Sequence, residues 1–183
     1  MLSDAVIISQ TEAWVQRLIV KYNICPFARK ELEQQTVRYV VFSDKPFEAT
    51  LDKLITECRY LDDNPDTETT LLILPTFKHF DDFLDLIAVA DRLLAMSGYE
   101  GVYQLAHFHP DYCFEGEAAD DPANYTNRSP YPTLHILREE SMAQALAQTD
   151  SPEAIPQRNI EFARRKGAPF FESILKDIIQ RNA

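Results

Sequence analysis

Glycine is scarce in this chain, with four in 183 residues, at Gly98, Gly101, Gly116 and Gly167. None falls in the clustered spacing that lets backbone amides cradle a phosphate chain, which argues against a glycine-rich nucleotide loop. Cysteine is nearly as rare. Cys25, Cys58 and Cys113 are too few and too scattered for a disulfide framework, so they read as free thiols of a reducing compartment. No run of about 18 apolar residues occurs, which leaves no membrane span to expect. The opening Met1-Leu2-Ser3-Asp4-Ala5 lacks the basic-then-apolar layout of a secretory signal, and a cytoplasmic protein is expected. The Asn-x-Ser/Thr acceptors at Asn124 and Asn127 are then not expected to carry sugar. Basic residues are outnumbered, 18 Lys and Arg against 29 Asp and Glu, for a formal net charge of -11. Such a surface repels a phosphate backbone, so nucleic acid is not an expected partner.

What the chain has is apolar content, 45% of 183 residues, enough for one core, and a single domain over 1–183 is expected. Ser3 is placed to cap a first helix whose apolar side runs Ile7, Trp14, Leu18 and Tyr22, with Val15 and Ile19 beside it. That helix should end before Cys25-Pro26. Residues 36–42 are β-branched and aromatic and predict a strand. Phe47, Leu51, Leu54, Cys58 and Leu61 recur at helical spacing, which puts Cys58 on a buried stripe. Residues 70–74 are apolar on both faces, as a central strand would be, and a helix over about 79–96 should stop at Gly98. A third strand is expected over 102–108, and a fourth over 133–137, antiparallel to the third because no crossover helix separates them. Helices finish the chain, Pro156 opening one, Gly167 closing it and Pro169 starting the last. The fold class is therefore α/β: a small, mainly parallel sheet of about four strands with an antiparallel last strand, helices packed on it and a helical C-terminal region.

Between the third and fourth strands lies the stretch 110–132, longer than most structureless connections in compact domains. Tyr112, Phe114, Tyr125 and Tyr131 can anchor it, so an ordered functional loop is expected within the segment 107–138. His107 and His109 lie at i and i+2 on the entering strand and share a face with Asp111 if the strand persists. His135 on the leaving strand could complete a three-histidine set for a divalent metal such as zinc, with Asp111 or Asp121 as base. The competing reading is that these imidazoles are sheet residues satisfied by backbone or by loop carboxylates. Asn127, Arg128, Ser129, Tyr131 and Arg138 supply donors for a small anionic substrate, or else hold the loop shut. Cys25, followed by Pro26, stands where a helix N-terminus would stabilise a thiolate, although a buried structural thiol fits as well.

The strings Cys25-Pro26-Phe27-Ala28, His109-Pro110-Asp111-Tyr112, Phe114-Glu115-Gly116, Asn127-Arg128-Ser129-Pro130-Tyr131-Pro132 and Leu134-His135 with Leu137-Arg138 resemble a family of bacterial proteins catalogued only as a domain of unknown function. Ile155-Pro156 with Arg158-Asn159 is similar to that family's later motif. The resemblance spans almost the whole chain and implies no particular activity or cofactor.

Three functions follow from the residues. The first is a small-molecule enzyme, a metal-dependent hydrolase, using His107, His109 and His135 as metal ligands, Asp111 or Asp121 as base, and Arg128 and Arg138 to hold an anionic substrate. The second is a metal-free enzyme with Cys25 as nucleophile or redox thiol and a histidine partner. The third is a binding protein without turnover that captures an anionic metabolite or a peptide.

Overall fold

A computed structural model describes residues 2–44 and 47–180. The first helix, α1 (Asp4–Trp14), is capped by the Ser3 side chain, which accepts from the backbone N–H of Val6. It continues into a π-helical turn, Val15–Val20, with Lys21 N–H bonded to Gln16 O at 3.1 Å. A regular helix was expected there. The widened turn admits one extra residue, and it buries Val15, Leu18 and Ile19 together beside Trp14. The chain then turns through Asn23, left-handed at φ 54°, and enters the short helix α2 (Ala28–Glu33).

Strands β1 (Val37–Val41), β2 (Thr69–Ile73), β3 (Tyr103–Phe108) and β4 (Thr133–Arg138) form one sheet in the order β1-β2-β4-β3. β1 and β2 pair in parallel, and β4 runs antiparallel to both of its neighbours. The expected antiparallel pairing of β3 with β4 is present, and β4 also inserts between β2 and β3. Its composition suits that place, since Leu134 and Ile136 are fully buried on one face while β2 is buried along its whole length. The connections α3 (Phe47–Asp63) and α4 (Phe80–Met96) cover the same face of the sheet. Both crossovers step the same way across it, as a single handedness requires. Leu54, Cys58 and Leu61 of α3 are completely buried against that face, and burial pushes the Cys58 thiol up to about 12.

The other face carries α1, the π turn and the C-terminal helices. These are α5 (Glu139–Ala147), α6 (Ile155–Lys166) with Pro156 in its first turn, and α7 (Ala168–Gln180), which begins just after Gly167 at φ 77°. Trp14, Leu18, Leu71, Tyr125, Phe171 and Ile178 form this second core. α7 is held to the π turn by Arg17 and Asp177 at 2.6 Å and to α1 by Gln10 Nε2 donating to Ile179 O at 2.9 Å. Among the described residues, no helix is long and apolar enough to cross a membrane.

Candidate functional site

Successive residues of a strand face opposite sides, so the register of β3 against β4 decides which histidines can meet. His107 lies opposite Leu134, and His135 lies opposite Ala106. The two imidazoles are therefore on opposite faces of the sheet, His107 toward α4 and His135 toward Trp14 and Phe108. The expected three-histidine convergence does not occur, because the pairing sets the two histidines one residue out of step. Among the described residues, no group of three or more His, Cys, Asp and Glu is arranged to hold a metal.

His107 and His109 do share the α4 side, but β3 stops at Phe108, and His109 is fully buried. Its Nε2 donates to Phe77 O at 3.0 Å, and its Nδ1 accepts the backbone N–H of Asp111 at 3.0 Å. Phe80 and Phe83 flank the ring, with centroids 5.2 and 5.3 Å away. Burial pushes its pKa down, so the neutral tautomer bridges two backbone segments. His107 stacks on Tyr112, and its buried Nδ1 has no hydrogen-bond partner among the described residues. Its pKa is lowered by burial, partly offset by the Asp91 carboxylate.

Most of the polar residues singled out in the long loop are engaged by the loop's own main chain or by neighbouring elements. Arg128 donates from Nε to Tyr112 O at 3.0 Å and from Nη2 to Ala119 O at 2.8 Å, with its guanidinium 4.5 Å from the Tyr125 ring centre. Asn127 donates to His107 O at 3.2 Å, Ser129 to Tyr131 O at 2.6 Å, and Tyr131 OH to the side chain of Gln10. Asp121 caps a short 3-10 turn through Ala123 N–H and takes an ion pair from Arg164 at 2.8 Å, which holds its carboxyl below the usual range. Asp111 stands exposed. Arg138 donates to Leu61 O at 2.6 Å and to Thr67 O at 3.0 Å, closing the end of α3. Both arginines expected to hold an anion donate to main-chain carbonyls, while Arg138 also lines the cavity on the other face of the sheet and its buried Nε has no partner among the described residues.

The opposite face holds a cavity of about 190 Å³. Its floor is the sheet, with Thr69, Leu71, Ala106, Phe108 and His135; Trp14, Val15 and Ile19 form one wall, and α2 and α5 form the rim. Neither α2 nor α5 contains a fully buried residue, so the rim is solvated. Cys25 lines this space together with His135, 110 positions away in sequence. Its place is fixed from behind, since α6 sends Arg158 to Asn23 O and Asn159 Nδ2 to Ile24 O at 2.7 Å. Burial pushes the Cys25 thiol up, against the smaller pull of hydrogen bonds from the Phe27 and Ala28 N–H groups. The helix that was expected to acidify it starts only at Ala28 and is a turn and a half long, so desolvation wins.

His135 is the most strongly perturbed of the imidazoles. Its Nε2 lies 2.6 Å from the Thr69 hydroxyl, which itself donates to Ile136 O at 2.6 Å. Burial depresses its pKa to about 4, so it is neutral at pH 7. The residues that complete this site, Trp14, Thr69 and Ala106, carry no motif. The available signal was Ala106, a small side chain between Gln104 and Phe108 on one face of β3, which leaves room above the sheet.

A family model described as "Protein of unknown function (DUF1415)" matches residues 6–173. The chain belongs to the DUF1415 family. No curated protein and no solved structure matches it. The DUF1415 match extends from α1 into α7 and so takes in both faces of the sheet, the long loop and the cavity wall.

Proposed function

We propose that this protein binds a compact, largely apolar small molecule in the cavity between the sheet, the π-helical turn, α2 and α5. The observation that carries the reading is that Cys25 and His135, far apart in sequence, line one mostly apolar cavity of about 190 Å³. Apolar cavities of roughly 150 Å³ take up a molecule the size of benzene, and a pocket with few polar groups in an apolar wall is the usual form of a small-molecule site. A cytoplasmic location is part of the proposal and rests on three unpaired cysteine thiols. An anionic ligand held by Arg128 and Arg138 is less favoured, because both guanidinium groups are bound to main-chain carbonyls. A metal-dependent hydrolase on the histidines finds little support in the nitrogen inventory, since both nitrogens of His109 are occupied.

Thermal unfolding with toluene as probe tests the proposal. A saturable rise in Tm is expected for the native chain and none for Ala106→Leu, whose added side chain fills the floor. No rise in the native chain with either toluene or phenol would remove the reading. An enzyme with Cys25 as nucleophile or redox thiol is the second reading, favoured by the presence of His135 in the same cavity. It predicts that Cys25→Ser keeps toluene binding and loses any turnover.

A further inference from the structure

The hydrogen-bond chain at the cavity floor has only one consistent arrangement of protons. The carbonyl of Ile136 can only accept, so the one proton of the Thr69 hydroxyl, 2.6 Å away, points to it. Thr69 Oγ1 must then accept from His135 Nε2, which therefore carries the ring's N–H. In a neutral imidazole this leaves Nδ1 as a bare acceptor. Among the described residues Nδ1 has no hydrogen-bond partner, and unlike Nδ1 of His107 it is not sealed from solvent. The ring is half-buried, and the space it borders is the cavity.

From this geometry we infer that the cavity selects a neutral molecule with an apolar body and one hydroxyl or N–H group, which donates its hydrogen bond to His135 Nδ1. The inference rests on the cavity reading above and narrows it. A carboxylate or phosphate would meet a lone pair at Nδ1 and the acidic residues Glu31 and Glu68, while the lining's Arg138 already donates its Nη2 to Leu61 O and Thr67 O. A hydrocarbon would leave Nδ1 unpaired. A phenolic, alcoholic or indole-like donor satisfies it while its body covers Leu71, Phe108 and Trp14.

Phenol and toluene have nearly the same shape and differ in the donor, so titration calorimetry with each decides the matter. Trp14 is the only tryptophan and lines the cavity, so its fluorescence gives a second readout. A wholly apolar site prefers toluene by roughly tenfold or more, because phenol must shed hydroxyl hydration without return. The expected result is phenol binding at least as tightly as toluene in the native chain, with the order reversed in His135→Phe. Tighter toluene binding in the native chain would overturn the inference and leave the cavity reading standing. Equal preference for phenol in the native chain and in His135→Phe would overturn the role of His135. If neither compound gave heat or a change in Trp14 emission, the cavity reading and this inference would fall together.

Discussion

The side-chain amide of Asn159 on α6 holds the carbonyl of Ile24 at 2.7 Å, and with Arg158 on Asn23 it fixes the turn that delivers Cys25 to the cavity. The two segments are 135 residues apart, so the bond ties the C-terminal helices to the N-terminal turn.

Because burial raises the Cys25 thiol, the native protein should react with iodoacetamide at Cys25 more slowly than a free cysteine at pH 7.5. Asn159→Ala should lower unfolding free energy by about 1 kcal/mol and speed that alkylation through local opening of the turn. Peptide mapping by mass spectrometry gives the rate. Fast native alkylation would contradict the assigned environment.

Acid should weaken the fold through His135. Its folded pKa of about 4 lies below the ordinary histidine value near 6.5, so as pH falls the unfolded chain takes up the proton first. The histidine's contribution is complete above about pH 6.5, shrinks as pH drops toward 4, and levels off below that. Over that window the loss is about 3 kcal/mol. His109, lowered by burial, acts in the same direction. Urea unfolding at a series of pH values should show a shallower slope for His135→Phe than for the native chain.

Glu57 is a buried carboxylate, 1% exposed, and receives Arg38 at 2.8 Å and Lys53 at 2.8 Å. Burial alone would raise its pKa, but the two hydrogen-bonded cations bring it below the usual range. Arg38 also covers the Tyr60 ring at 3.8 Å. Replacing Arg38 by Met should cost about 3 kcal/mol, since it strips a partner from a buried charge. The double replacement Arg38→Met with Glu57→Leu should cost less than that single change, as measured by a denaturant-unfolding cycle.

Arg128 clasps Tyr112 O and Ala119 O, and its removal should free the loop without touching the cavity. Arg128→Ala is expected to raise the rate of limited proteolysis within residues 110–132 and to leave toluene binding unchanged. Lost toluene binding with an intact loop would show that the arginine belongs to the site.

Much of the fold was legible because its signals are local. Leu54, Cys58 and Leu61 repeat at helical spacing, the stretch 70–74 reads as a strand apolar on both faces, and Ser3, Pro156 and Gly167 mark helix ends by their own chemistry. The site was less legible because it depends on a register set across a long loop. A shift of one residue between β3 and β4 would have brought His135 to the side of His107, and nothing in either strand's sequence states that offset. Of the histidines and arginines of segment 107–138, His109 and Arg128 secure the loop, Arg138 closes the end of α3, and His135 faces the cavity. The π turn was illegible because its residues Val15, Leu18 and Ile19 satisfy an ordinary helix pattern.

The insertion of β4 has a consequence for how the protein is made. β3 is synthesised before β4 yet has no strand neighbour except β4, so a nascent chain that has completed β3 still holds it with both edges open. Only when Thr133 to Arg138 have left the ribosome can the sheet be stitched together, and the same strand brings His135 and Leu137 to the cavity floor. The binding site is thus a late product of translation, and the interval before β4 emerges is when unpaired β3 edges are exposed to other chains.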